Sequence, residues 1–352
     1  MEYKKWGMSV VAITLIVLCI LGSITAIIDP YFHYHKPLES LEYPIYDERH
    51  QSDGILRNFD YDTIIIGSSM TLNFKTSELD SFFGTNAVKV PLSAATYNEV
   101  NSNLQRAFAA NPNIKKVFIG LDGFAITRDK NAFAFAAEQY PTYLTDNYLL
   151  NDVNYLFNKQ AFVTGSLRVL MHTLQKNKTT SFDEYGNYMD LYPFGKEAVL
   201  LHTGGRQPAN EEQLLSEETK QIVTESIQKN VISLVEQHPD VQFYYFFPPV
   251  SMYYFYMLKQ NGTLKGELET YKIASNLMLQ CDNIHLFSFF EELDMISNPD
   301  NYMDAYHYCE DINSQMLVWM SEGSHLLTKE NYVDYWDSIY ETFNSYNYDP
   351  LF

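Results

Sequence analysis

Cysteine is scarce in this chain, with three residues in 352. Cys19 sits in an apolar run, which leaves only Cys281 and Cys309 for one disulfide at most. No C-x-x-C pair occurs and no Cys/His cluster has zinc spacing, so no metal site is expected. Basic residues are also few: 24 Lys and Arg stand against 44 Asp and Glu, a formal net charge of -20. Such a surface repels nucleic acid and anionic lipid headgroups, and nucleic acid is excluded as a partner. Internal repeats and low-complexity linkers are missing as well, which argues against a solenoid or a string of tethered modules. Aromatic residues, by contrast, are abundant, with 28 Tyr and 23 Phe. Beside carboxylates and amides they suit sugar binding, and they suit an aromatic core equally well.

Charge is absent from one further place. Trp6 to Ile28 carries none over 23 residues, enough for a helix to cross a hydrocarbon core of about 30 Å. Lys4 and Lys5 precede this run and Asp29-Pro30 ends it. Positive charge ahead of the span predicts residues 1–5 in the cytoplasm and the rest outside. A cleaved signal peptide is the competing reading, but the apolar region is long and no A-x-A site is evident. The expectation is therefore an uncleaved single-pass anchor at the cell membrane. Residues 29–58, rich in proline, aromatics and charge, read as an irregular stalk.

Residues 59–352 alternate strands and helices. DTIIIG (62–67), AVKVP (87–91), KVFIGL (116–121), VQFYYFF (241–247) and IHLF (284–287) read as buried strands. Helices are expected near 97–111, 217–237, 265–279, 312–321 and 329–343. The pattern predicts an α/β fold, a three-layer sandwich around a mostly parallel sheet with right-handed crossovers. The alternation fails from about 125 to 212, which reads as an insertion.

Two short segments can carry chemistry. Gly67-Ser68-Ser69-Met70 follows the first strand, where open α/β sheets bind ligands. A serine there can face a cleft beside outward-pointing N–H groups, or it can simply cap a helix. Asp304-Ala305-Tyr306-His307 follows the fifth strand. An imidazole is the natural base for a serine, and a carboxylate three residues earlier can orient it if the segment turns. A surface D-x-x-H in a Tyr-rich loop is the bland alternative. His202 and His325 lack that spacing. Cys309 reads as a packed thiol, and Gly204-Gly205-Arg206 is too short for a phosphate loop.

Together these segments resemble the SGNH/GDSL hydrolase superfamily, over residues 59–124 and 240–325. The G-x-S block matches Gly67-Ser68-Ser69 and the D-x-x-H block matches Asp304 and His307. With the anchor, IIIGSSMT, KVFIGLD and the FFPP turn, the chain looks closest to membrane-anchored exopolysaccharide and teichoic-acid modification proteins, including the D-alanyl-transfer and alginate O-acetylation groups. The resemblance implies Ser69 as nucleophile, His307 as base and Asp304 as its orienting acid. It implies an acyl donor, a glycan or polyol acceptor and no cofactor. Two blocks depart from the pattern. The loop that supplies an oxyanion-hole glycine reads Pro91 to Thr96, so an N–H of Ala94 or Ala95 would have to serve. The G-x-N block reads Gly120-Leu121-Asp122, and an ionised carboxylate accepts hydrogen bonds but cannot donate one. The expected function is a serine esterase or O-acyltransferase on a cell-surface polymer. The alternative is a non-catalytic, membrane-anchored module that binds glycan or a partner. A third reading is a structural subunit of a membrane acyltransferase complex, bound to a multi-span partner through residues 6–28.

Overall fold

Short runs of Ile, Val and Phe without polar alternation form strands only when both faces are covered. The computed structural model describes residues 2–146, 148–203 and 209–352, and it puts these runs in one sheet. β1 (Thr63–Gly67), β2 (Ala87–Pro91), β3 (Lys116–Gly120), β4 (Gln242–Phe247) and β5 (Ile284–Ser288) lie in the order β2-β1-β3-β4-β5, all parallel. A two-residue strand, β6 (Leu326–Leu327), pairs antiparallel with β5. It is too short to leave a sequence pattern.

Ile64, Ile65 and Ile66 are fully sealed from solvent. Each contributes about 1.5–3 kcal/mol through burial of its side chain. Because β2 and β3 flank β1, the chain reverses its direction of travel across the sheet between β1 and β3. A crevice opens beyond the carboxyl ends of strands at such a point. The segments that follow β1 and β3 are Ser68-Ser69 and Leu121-Asp122.

The helices at 97–110, 264–278, 310–322 and 332–345 fall close to expectation. The expected helix at 217–237 is interrupted by a wider turn at Gln228–Ile232. Residues 29–58 are not irregular throughout. Glu48–Asn58 is a helix started by Asp47, whose carboxylate accepts the His50 N–H.

Contacts group the chain into two units, one of residues 61–134 with 182–352, the other of residues 1–60 with 135–181. The second unit holds the N-terminal helix, Glu2–Ile28, long and apolar enough over Tyr3–Ile28 to cross a membrane. At its end Asp29 adopts a left-handed backbone (φ 49°) and is buried. Its carboxylate accepts the N–H groups of His33, Tyr34 and His35 and the Tyr155 hydroxyl. Tyr31, Leu144, Tyr155 and Ala161 form a small core here.

Candidate active site

The turn after β1 assigns different tasks to its two serines. Ser68 is buried, and its hydroxyl oxygen caps the single helical turn Ser69–Thr71 by accepting the Met70 N–H at 3.2 Å. Ser69 is half-exposed and faces outward. A side chain at Gly67 would not fit, because its Cβ would lie 2.7 Å from Thr71 Cγ2. On the neighbouring strand a Cβ at Gly120 would lie 3.4 Å from the same Thr71 methyl, and Gly120 does not line the cavity.

The loop after β5 closes on itself. Tyr302 and Tyr308 pair as an antiparallel bridge, and the Met303 N–H donates to the His307 carbonyl at 3.1 Å. Within it Asp304 Oδ1 accepts the N–H groups of Tyr306 and His307, while Asp304 Oδ2 lies 2.8 Å from His307 Nδ1. These bonds, His307 foremost, hold the Asp304 carboxyl below the usual carboxylate range despite its burial. The other ring nitrogen, His307 Nε2, lies 2.8 Å from Ser69 Oγ across 238 residues of sequence. Hydroxyl, imidazole and carboxylate thus form one hydrogen-bonded line.

Residues that sequence reasoning passed over hold this line together. Tyr308 donates its hydroxyl to the Met70 carbonyl at 3.1 Å. Its own carbonyl accepts from Asn73 Nδ2 and from the Tyr188 hydroxyl. The Tyr188 ring meets His307 edge-on at 5.9 Å. Ser251, after β4, donates its N–H and hydroxyl to the Ala305 carbonyl. Lys89, buried in β2, donates to the carbonyls of Leu72 and Phe74, and burial lowers its ammonium to about 7. None of these residues carries a sequence signal, because each acts on a main-chain group that is distant in sequence.

Ser69 and His307 open onto a cavity of about 310 Å³ at the switch point between β1 and β3. Its walls are mostly apolar and aromatic, including Phe124, Tyr254, Tyr271, Phe290 and Tyr306. Ala94 lines it and holds a left-handed backbone (φ 59°), a conformation that costs a non-glycine residue about 1–2 kcal/mol. Its N–H makes no main-chain hydrogen bond in the turn. Ala95 differs: it is buried, does not line the cavity, and donates its N–H to the Leu92 carbonyl. The Thr96–Glu99 capping box begins the next helix and pins the loop.

Asp122 also lines the cavity and is buried. Burial raises its carboxyl to about 6, against the opposing pull of the Ser68 hydroxyl and of His307. A second carboxylate, Glu267, stands behind the wall. Its Oε1 accepts the hydroxyls of Tyr254 (2.9 Å) and Tyr271 (2.7 Å), and its burial raises its pKa. A side chain at Gly123 would strike that same Oε1 at 2.2 Å.

The alternative bases lie elsewhere. His325 is bound to Glu291 at 2.6 Å, the His202 side chain falls outside the described residues, and so do residues 204–206. Cys281 and Cys309 are free thiols, and burial raises both. Among the described residues no three His, Cys, Asp or Glu side chains converge as metal ligands would.

No family model matches the chain. No curated protein matches it. A solved chain from Streptococcus pneumonia, described provisionally as a platelet activating factor, is similar at 11% identity over 78% of this chain and 90% of its own, with a TM-score of 0.37. That overlap is too loose to imply a shared site.

Proposed function

We propose that this chain is a membrane-anchored serine esterase or O-acyltransferase of the SGNH/GDSL type, acting on an ester of a cell-surface polysaccharide or a teichoic-acid-like polymer. The reading takes residues 61–134 and 182–352 as a three-layer, flavodoxin-like sandwich. It takes Lys4 and Lys5 as holding the N-terminus inside, which leaves the sheet domain outside the cell.

The observation that carries it is the unbroken Ser69–His307–Asp304 line opening onto a cavity. Ser69 Oγ attacks the ester carbonyl carbon while His307 Nε2 takes its proton. Asp304 Oδ2 holds the Nδ1–H and stabilises the imidazolium. The N–H groups of Ser69 and Ala94 receive the oxyanion. The tetrahedral intermediate expels its alcohol with the His307 proton and leaves an acyl-serine. His307 then deprotonates the acceptor: water in an esterase, a sugar or polyol hydroxyl in a transferase.

Asp122 shapes the pH range. Its ionised form repels an oxyanion in the same cavity, and its neutral form does not. Protonated Asp122 therefore favours turnover, and the benefit fades as pH rises through about 6. The same carboxylate supports a second reading, a non-catalytic binding module, because an anion opposes the chemistry. A fluorophosphonate probe on the folded, full-length chain separates the two. Labelling that vanishes in Ser69→Ala supports the enzyme, and an unlabelled wild-type protein supports the module.

A further inference from the structure

Residues 148–174 turn large apolar side chains outward. Leu149 is 79% exposed and Leu174 is 81% exposed, with Leu150, Val153 and Phe157 also outward. The helical stretch Gln160–Leu174 has two unlike faces. Ala161, Gly165 and Val169 are buried, while Val163, Leu167, Met171 and Leu174, spaced by four, four and three, form an exposed apolar stripe. This inverts the usual amphipathic helix of a water-soluble protein, whose large apolar residues face inward.

The N-terminal helix gives this surface a height. Trp6 is exposed at its start and marks one interface. At 1.5 Å per residue, about 20 residues cover a hydrocarbon core of about 30 Å, which brings the opposite edge near Ala26. The helix touches residues 156 and 157 below that edge: a Cβ on Gly22 would lie 3.0 Å from Phe157 Cε1 and 3.9 Å from Leu156 Cβ. Four residues below Ala26 is about 6 Å inside. Pro30, just past the helix, packs on Gly165, where a Cβ would come within 2.7 Å of its Cγ. Residues 156–157 and 165, in the middle of the apolar surface, are therefore held at the depth where headgroups meet acyl chains.

Charge points the same way. The chain carries -20 overall, yet residues 148–181, which extend just past the apolar stripe, contain Lys159, Arg168, Lys176 and Lys178 against a single acidic residue, the buried Asp152. A local excess of basic residues beside a membrane helix suits lipid phosphates, even where the rest of the surface repels them.

We propose that residues 148–174 lie in the headgroup–acyl boundary of the bilayer leaflet from which the N-terminal helix emerges. The apolar stripe and Leu149-Leu150 enter lipid, and the four basic side chains meet phosphates. The proposal rests on the reading of residues 6–28 as a membrane span and is independent of the acyl chemistry. The occupant is lipid, and a protein partner is the rival.

The test uses the unaltered full-length chain in vesicles of phosphatidylcholine and phosphatidylglycerol that carry a photoactivatable diazirine on their acyl chains. After irradiation, labelled peptides are mapped by mass spectrometry. Label on 6–28 and also on 148–157 and 163–174, well above that on the exposed helix Glu217–Ile227, is the expected result. Label confined to 6–28 overturns the proposal and points to a protein partner. No label on 6–28 overturns the span as well. The quadruple variant Leu149→Glu, Leu150→Glu, Met171→Glu, Leu174→Glu should lose label from 148–174 and retain it on 6–28.

Discussion

In the unit of residues 61–134 and 182–352, Ile64, Ile65 and Ile66 are sealed on a strand, and the polar Ser69, His307 and Asp304 gather where that strand ends. In the unit of residues 1–60 and 135–181, Leu149, Leu150 and Leu174 stand outside, and the buried centre holds Asp29 with a fan of hydrogen bonds. The first arrangement is the answer of a chain to water: apolar groups retreat and polar groups meet at a cleft. The second fits the membrane-boundary proposal, under which an outward leucine costs nothing and an unpaired carboxylate costs a great deal. The two units thus sort leucine and carboxylate in opposite directions.

The sharpest way to break this contrast is Ser69→Ala. Ester turnover should fall by about 10⁶-fold and fluorophosphonate labelling should disappear, with lipid labelling of 148–174 unchanged. Asp304→Asn should follow, at about 10⁴-fold in kcat, since the amide cannot stabilise the imidazolium. Circular dichroism should show the fold intact, although two main-chain N–H groups lose a charged acceptor.

Asp122→Asn should give a smaller, pH-dependent gain. Relative to the wild-type chain, kcat/KM should be near equal at pH 5 and about tenfold higher at pH 8, where the wild-type carboxylate is ionised beside the oxyanion. The same variant reads out stability. The folded state raises this carboxyl from 3.8 to about 6, so its ionisation opposes folding. The cost is absent below about pH 4, grows between about pH 4 and 6, and reaches on the order of 3 kcal/mol above that. Thermal unfolding of Asp122→Asn should therefore show a higher midpoint than wild type at pH 7.5 and little difference at pH 4. A midpoint gain that is the same at both values would sink the buried-carboxyl explanation. The smallest effect is expected from Leu149→Glu with Leu174→Glu. Lipid labelling of 148–174 should drop a few-fold, while Ser69 remains reactive to the probe.

Much of the sheet was legible because its strands are buried on both faces and therefore continuously apolar. Tyr244 to Phe247, read as strand residues, lie in β4. β6 was not legible, nor was the helix Glu48–Asn58, where polar residues such as Gln51 and Asp53 are buried by neighbours that the sequence does not place. At the site, the order Ser then Asp-x-x-His was visible. The choice between Ser68 and Ser69 rested on position within a motif; in the structure Ser68 caps the turn while Ser69 meets His307. Ala95 was offered beside Ala94 as an oxyanion donor, and the turn itself consumes its N–H.

Local matters were decided by the sequence alone: an uncharged run long enough to span a bilayer, strands of β-branched residues, and an Asp–His spacing short enough for one turn to close. These depend on neighbours within a few residues, and their energies are set there. Only the tertiary structure decided that Ser69 meets His307 across 238 residues, that Asp122 is buried enough to hold its proton near pH 6, and that residues 135–181 join the N-terminal helix. Each of those outcomes depends on which distant surface supplies the hydrogen bond, the dielectric or the apolar contact, and that is determined only once the whole chain has packed.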